Sequence, residues 1–549
     1  MSLPAGASVR VDPIRAVVIA NRIEAITREM GETMLRTSRS PIFSESRDFA
    51  AAIFDYRDCW VANAGYVPVI AGTTPHSHRA IVEAFAGDIH PGDVFILNDP
   101  HHGGNHPPDI AVAKPVFYDG DLRFWTMAKG HNADAGGSGV VGYNPYARDA
   151  WEDALRIPPM RLYEQGRYRR DVWDMILLNL RIPALVEGDL HCQVGATTIG
   201  ERALVGLLDK YGRDQVEAAI DQLVAGSEQR TREEIRAMPN GVYRAERLID
   251  HAGLSPEPIR VKLRLEISDD EIEFDLEGSS PQVAGYVNSP YSNTVSACYL
   301  ALFSCIDPGI PMNEGSTRPV TVTAPAGSVV NALEPAATTL CTVSTCEAIA
   351  ECGYLALAEA IPERSNALWA RWFGVTSMGM NPRTGRPFAD IHFMAKGGGG
   401  ATHGYDGWDH IGSVICLGGV RAPDPELHEL GAPFTVLRLE YLPESFGAGE
   451  WRGGAGVWHA WRVDADEVRM AFFGSGTVPE TVPLGILGGE VVADQPDRRA
   501  PRRRDGRRGL GERDDDPAAG RLGRELDRRR RRLWRPTAAR HRARPRGRA

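Results

Sequence analysis

Two stretches of this chain restrict its fold more than any others. Residues 98–110 hold Asp99, His101, His102, His106 and Asp109 among three prolines and a glycine pair, and residues 130–137 hold His131 and Asp134 ahead of a second glycine pair. Neither stretch can run as regular helix or strand, because proline lacks an N–H and paired glycines leave the backbone unrestrained. Each follows an apolar run of strand character, residues 92–97 for the first and 122–128 for the second. The chain must therefore build strands whose ends deliver two ligand-rich loops.

A length of 549 residues exceeds the roughly 250–300 at which one hydrophobic core stops growing. At least two domains are expected: residues 1–240 as an N-terminal metal-binding domain with a helical segment around 170–237, residues 241–490 as a mixed α/β domain, and residues 491–549 as an Arg-rich disordered tail. The fold class expected is α+β, multidomain, with mixed sheets. With 43% hydrophobic and 24% charged residues the composition is that of a soluble globular protein. No apolar run approaches the ~20 residues of a membrane span. The first twelve residues lack the basic and apolar regions of a secretory signal, which predicts a cytoplasmic protein. The eight cysteines form no Cys-x-x-Cys pair and are read as reduced, buried thiols.

Along the chain, Asp12 caps and Pro13 opens a first helix in which Ile14, Val17, Val18, Ile23, Ile26, Met30 and Met34 keep helical spacing. Strands are expected at 49–55, 60–64 and 92–97, a helix at 75–85, and a hairpin of 110–117 and 122–128 turning at Asp119-Gly120-Asp121. Helical periodicity spans 173–237 and stops at Pro239-Asn240-Gly241, near which the domain boundary is placed. Strands follow at 242–249, 259–267 and 272–276, then helices around 294–303 and 345–360. The glycine run 397–400 is read as a structural turn or a loop near the site, and no repeat of 20–50 residues is present.

Chemically, imidazole and carboxylate ligands suit borderline divalent cations such as zinc or manganese. His106 and Asp109 stand three residues apart on a turn stiffened by Pro107 and Pro108, and His131 and Asp134 repeat the spacing. Two neighbouring strand ends, each presenting a His and an Asp, make one metal site; the competing reading is a solvated polar loop with capping aspartates. His101, His102 and Asp99 are outer partners of the ligands or plain loop residues.

Taken together, Asn98-Asp-Pro, Gly103-Gly104, His106-x-Pro-Asp109, Pro115-Val-Phe with the Asp119-Gly turn, and Gly130-His131-x-x-Asp134-x-Gly-Gly137 resemble the hydantoinase B/oxoprolinase family. The likeness runs from about Asp12 to Gly489, with later landmarks at residues 313–319, 324–328 and 406–407. The resemblance implies metal ligation by His106, Asp109 and His131. It also points to an acidic ligand at Asp48, within Glu45-Ser-Arg-Asp48-Phe, for which a salt bridge with Arg47 is the alternative. It implies a division of labour in which a hydantoinase A-like, ATP-binding partner subunit phosphorylates the substrate and this chain completes the chemistry at the metal, in a hetero-oligomer.

The sequence agrees with that division: it contains neither a Gly-x-x-x-x-Gly-Lys-Ser/Thr phosphate loop nor a Gly-x-Ser-x-Gly nucleophile elbow. A metal then has to supply the electrophile or the activated water, with Asp134 or Asp99 as candidate general base. The leading expectation is a metal-dependent subunit of an ATP-dependent hydrolase opening a hydantoin, oxoproline or lactam ring. The alternatives are an acetone/acetophenone-type carboxylase subunit and, in another class, a non-catalytic assembly subunit. No nucleic acid and no membrane is expected as partner.

After about Val491 the composition changes: 21 Arg and no Lys stand against 9 acids in a chain whose formal charge is −10 overall. A basic arm for nucleic acid would want aromatic platforms, and Trp534 stands alone. A reading-frame slip accounts for the segment better. One base on, the codons behind residues 530–536 can spell Gly-Gly-Gly-Tyr-Gly-Asp-Pro, and sequencing the coding DNA decides it.

Overall fold

The computed structural model describes residues 11–250, 254, 257–443 and 445–490. Asp12 opens the first helix, α1 (Pro13–Thr37), by accepting the N–H groups of Ile14 and Arg15, each at 3.1 Å. Its buried stripe is Ile19, Ile23, Ile26, Met30 and Met34, whereas Ile14, Val17 and Val18, expected on the inner face, are exposed at 77%, 59% and 46%. The spacing of four, three, four and four along the stripe sets the helical phase, and the three early residues fall outside it.

A short helix, α2 (Pro41–Ser44), leads into a seven-stranded antiparallel sheet. Its strands are β1 (Phe49–Asp55), β2 (Trp60–Gly65), β3 (Val94–Leu97), β4 (Asp109–Tyr118), β5 (Asp121–His131), β6 (Met160–Glu164) and β7 (Arg167–Tyr168), in the order β2-β1-β5-β4-β3-β6-β7. β1 is buried throughout, since both faces of the sheet are covered. Ala51 and Ile53 join a core with α1, while Ala52 and Phe54 pack with Ile81 of helix α3 (Pro68–Ala84). The β4–β5 hairpin turns at Asp119 and Gly120 with φ of 51° and 84°, the left-handed pair a tight hairpin needs.

α3 begins at Pro68, well before the Pro75 start expected from proline's preference for a first turn. Pro75 cannot donate to the Ala71 carbonyl one turn back, and the Thr74 hydroxyl donates to that oxygen instead at 2.7 Å. The proline is thereby tolerated inside the helix.

After α4 (Ala150–Asp153), helices α5 (Arg170–Leu178), α6 (Pro183–Tyr211) and α7 (Arg213–Arg236) supply the expected helical segment, and α6 packs along β4 and β5. A second sheet follows: β8 (Gly241–Ile249), β9 (Ile259–Ser268), β10 (Glu271–Asp275) and β11 (Val320–Thr323), ordered β11-β10-β9-β8 with β10 and β11 parallel. Between and behind its strands run α8 (Tyr291–Phe303), α9 (Glu314–Thr317) and α10 (Thr345–Ala360). The remaining chain forms β12 (Phe373–Asn381), β13 (Arg386–Ile391), α11 (Pro425–Gly431), β14 (Phe434–Tyr441), β15 (Val457–Val463) and β16 (Val468–Gly474), with a β13-β12-β16 sheet and a β14–β15 pair. The architecture is mixed α and β with several sheets.

The boundary placed near Asn240 falls in the link between α7 and β8, and buried bonds cross it. Ser296 donates to the Val69 carbonyl at 2.9 Å, and Asn63 donates to that of Met312 at 2.7 Å. The described residues belong to one compact unit. In the glycine run, a Cβ on Gly398 would sit 1.9 Å from the Gly454 carbonyl oxygen, so that run marks two backbones crossing, as a structural turn requires. All eight cysteines are free and all but Cys59 are buried. Among the described residues no helix is long and apolar enough to cross a membrane. The Arg-rich segment 491–549, with the frame-slip reading attached to it, lies outside the described residues.

Candidate metal centre

The hairpin that the sequence predicts brings the two ligand loops together. Asp109 opens β4 and His131 closes β5, and in the antiparallel register they are direct partners. Asp48, one residue before β1, joins them from the other side of β5: its carbonyl accepts the His131 N–H at 3.0 Å. His106 sits on the turn into β4, closed by the Asp109 N–H donating to the His106 carbonyl at 3.0 Å. Gly104 lets this loop fold tightly, since a Cβ there would meet the Asn98 carbonyl oxygen at 2.3 Å. Asn98 pins the loop further, donating to the carbonyls of Pro107 (2.7 Å) and Leu155 (2.9 Å) and accepting the Ile157 N–H (2.6 Å).

The His106 ring carries the decisive geometry. Its Nδ1 lies 2.8 Å from the Thr339 carbonyl, which can only accept, so Nδ1 bears a proton. Its Nε2 then faces Asp109 Oδ1 at 2.8 Å, and His131 Nδ1 approaches the same oxygen at 3.3 Å. A neutral ring would set its lone pair against a carboxylate oxygen, which is repulsive unless a proton or a metal cation lies between them. All three side chains are buried, their ligand atoms lie within 4.8 Å of one another, and His131 Nε2 has no hydrogen-bond partner. Asn105 holds the other carboxylate oxygen of Asp109 through its amide at 2.5 Å. Two imidazoles and the Asp109 carboxylate, with one ring tethered to a backbone carbonyl and Asp48 lining the same cavity, fit a divalent cation of the zinc or manganese class.

The electrostatics agree. Burial works against a charged His106, but Asp109 beside it outweighs that and raises the ring above its ordinary value. Burial would push Asp109 up, yet His106 and His131 hold it well below the usual carboxylate range. Asp48 is pushed by burial up to about 6 against the pull of His131. A cation among these groups would keep both carboxylates ionised.

Asp48, His106, Asp109 and His131 line one cavity of about 40 Å³, walled by apolar groups that include Val67, Ile70, Val343, Trp372 and Phe393. Tyr143 closes it beside His131, its ring stacked on Phe473 at 4.6 Å. That volume holds a cation with a water or two.

The structure does not bring Asp134 or Asp99 into this cavity. Asp134 is spent on backbone, accepting N–H groups from Gly136 (2.9 Å), Arg181 (2.5 Å) and Ile182 (3.4 Å), because it shapes the turn after β5 and caps the approach to α6. Asp99 accepts the His101 N–H at 3.1 Å and pairs with His102 at 2.9 Å, while His101 contacts the Ala336 carbonyl at 3.1 Å. None of these three loop residues lines the cavity.

What the sequence reading missed lies outside the two loops. Asp153 accepts the N–H groups of Thr338 and Thr339 at 2.8 and 2.9 Å, and so holds the carbonyl on which His106 rests. Lys129, immediately before the Gly130-His131 pair that ends β5, is fully buried, donating to Thr73 and Ser77 at 2.9 and 3.0 Å; burial brings it down to about 8.

A family model described as hydantoinase B/oxoprolinase matches residues 12–513. The chain belongs to the hydantoinase B/oxoprolinase family. The match runs past Gly489, where the resemblance read from motifs stopped, and into the Arg-rich segment. The beta subunit of caprolactamase from Pseudomonas jessenii is 36% identical over 491 residues, covering 88% of this chain and 84% of that protein. The B component of a putative D-/L-hydantoinase from Pseudomonas sp. strain NS671 is 32% identical over 467 residues, covering 81% and 77%. Among solved structures, the ATP-dependent caprolactamase of Pseudomonas jessenii superposes with a TM-score of 0.79 at 36% identity, over 83% of this chain and 79% of that one. A nucleotide-free acetone carboxylase gives 0.81 at 20% identity, over 88% and 66%, a likeness of fold alone.

Proposed function

We propose that this hydantoinase B/oxoprolinase family member is the metal-bearing subunit of an ATP-dependent hydrolase that opens a cyclic amide, working with a separate hydantoinase A-like, ATP-binding subunit. One observation carries the reading: Asp48, His106, Asp109 and His131 meet in a buried, apolar-walled cavity. Supporting it, the beta subunit of caprolactamase is similar over 88% of this chain. The sequence holds no phosphate-binding loop of its own, which suits a partner that handles ATP.

Those four residues would hold a zinc or manganese ion, which when bound polarises a ring carbonyl or acyl-phosphate oxygen and acidifies water. The chain supplies the rest. Val67, Ile70, Val343, Trp372 and Phe393 keep bulk water from the site and offer apolar contact to the methylene part of a ring. The Asp153–Thr339–His106 relay fixes the His106 ring so that Nε2 faces inward. A ring-sized substrate exceeds a cavity of about 40 Å³, so these walls must part to admit it.

A second reading, a ketone carboxylase subunit, draws on the fold likeness to acetone carboxylase. The two separate in one experiment. The chain, co-expressed with its ATP-binding partner, is assayed with hydantoin, 5-oxoproline and caprolactam, and with acetone or acetophenone plus bicarbonate. Ring-opened product accompanying ADP release supports the hydrolase. Ketone carboxylation without ring opening moves the assignment to the second reading, and no substrate-dependent ATP turnover with any of them leaves an assembly subunit.

A further inference from the structure

A second cluster of ligand-type side chains lies among the C-terminal strands. Asp390 is in β13, His392 is the first residue after that strand, and His428 comes from α11. Asp390 Oδ2 stands 3.4 Å from His392 Nε2 and 3.5 Å from His428 Nδ1, and the three ligand atoms lie within 4.8 Å of one another. That oxygen is buried and accepts no hydrogen bond, a costly state for a carboxylate. His392 and His428 are 1% and 7% exposed, and their outer nitrogens, Nδ1 and Nε2, are also buried without partners. The Ser377 hydroxyl meets His392 Nε2 at 3.0 Å. Both ring nitrogens of His459 on β15 are buried and unpartnered as well, and Trp461 packs against both His392 and His459, with ring centroids at 5.0 and 4.8 Å.

Phe434 fixes the two ligand rings. His428 stacks on it at 5.7 Å and His392 meets its edge at 4.8 Å. The rings are therefore held in place by aromatic packing while one nitrogen of each and Asp390 Oδ2 go unsatisfied, which is the arrangement of a site awaiting a cation. None of these residues lines the cavity of Asp48, His106, Asp109 and His131.

We propose that Asp390, His392 and His428 form a second divalent transition-metal site, of the zinc class, which ties α11 to the edge of the β13-β12-β16 sheet. Two imidazoles and a carboxylate are three ligands of the types such ions take, with bonds of roughly 2.0–2.2 Å that small side-chain rotations allow here. The ion would satisfy the orphaned carboxylate oxygen and join α11 to β13.

The test uses the full-length chain carrying His131→Ala, so that its result does not depend on the first centre. Zn²⁺ content is measured by elemental analysis after dialysis, and Co²⁺ replaces it for visible d–d absorption. The expected result is one retained equivalent, with cobalt bands characteristic of nitrogen and oxygen ligation, and a Tm raised by several degrees on Zn²⁺ addition. Adding His428→Ala, or the near-isosteric Asp390→Asn, should reduce the retained metal at least tenfold and abolish the Tm shift, with circular dichroism establishing that at least one of the two remains folded. Absence of bound metal in the His131→Ala chain, or its full retention in a folded His428→Ala or Asp390→Asn double variant, overturns the proposal.

Discussion

At the residue scale, the candidate centre depends on side chains that are buried, which sets it apart from the competing reading of a solvated polar loop. His131 is 5% exposed and His106 2%, so replacing either removes packing as well as a ligand. His131→Ala is expected to lose the metal of this centre, binding one equivalent fewer than the parent chain, to lose activity and to cost about 1–3 kcal/mol of stability, the range for a buried polar side chain; elemental analysis and denaturant unfolding measure the two effects separately. Full metal retention in that variant would refute the ligand assignment. Asp153 acts at one remove. Asp153→Asn keeps its shape but weakens the two charge-assisted N–H bonds that hold the Thr339 carbonyl against His106. Metal affinity should fall about 10–100-fold, the cost of losing an outer partner, while His106 and the fold stay in place. Titration with a chelating competitor reads the difference, and an unchanged affinity would show the relay to be irrelevant.

Secondary-structure elements were legible wherever local chemistry decided them. Asp12 and Pro13 start α1, the Asp119-Gly120 turn closes the β4–β5 hairpin, and Thr345–Ala360 of α10 has the bounds its periodicity predicts. α3 was misjudged because its Pro75 looks like a first-turn residue, yet the rest of the fold carries the helix through it. The Thr74 hydroxyl compensates for the missing N–H, which yields a prediction: Thr74→Val, nearly isosteric, leaves the Ala71 carbonyl unsatisfied inside a buried helix. It should cost about 1–2 kcal/mol, measurable as a drop in the midpoint of chemical unfolding. A midpoint equal to that of the parent chain would mean the helix absorbs the proline by another route.

For the molecule as a whole, buried polar groups join segments that are far apart in the sequence, and one such group sets a pH dependence. Glu347 in α10 is buried; it accepts the Trp372 N–H at 3.0 Å and the Ser413 hydroxyl, and burial pushes it up to about 8 despite those bonds. Below about pH 4.5 the carboxyl is protonated in both folded and unfolded chains. Between there and about 8 the folded chain keeps a proton that the unfolded chain has released, so stability falls as pH rises, by at most ~1.4 kcal/mol per unit. Glu347→Gln retains an accepting oxygen and removes the titration. Its stability relative to the parent should therefore rise between pH 5.5 and 8.5, and a difference that does not change with pH contradicts the assignment.

The local frame of the candidate site is written in the sequence. The His-x-x-Asp turn and the hairpin that sets Asp109 opposite His131 were readable because turn chemistry and strand alternation act over a few residues, whereas only the family resemblance pointed to Asp48. Spacing alone could not separate one His-x-x-Asp from the other: His106–Asp109 converges on one point, whereas Asp134, at the same spacing after His131, turns away to bind the backbone of Arg181 and Ile182. Long-range packing makes that distinction, and it alone brings Thr339 to His106 and Trp372, Phe393 and Phe473 to the cavity from more than two hundred residues along the chain. Such contacts are set by how helices and sheets pack together, and no periodicity within a single segment records which distant segment will cover it.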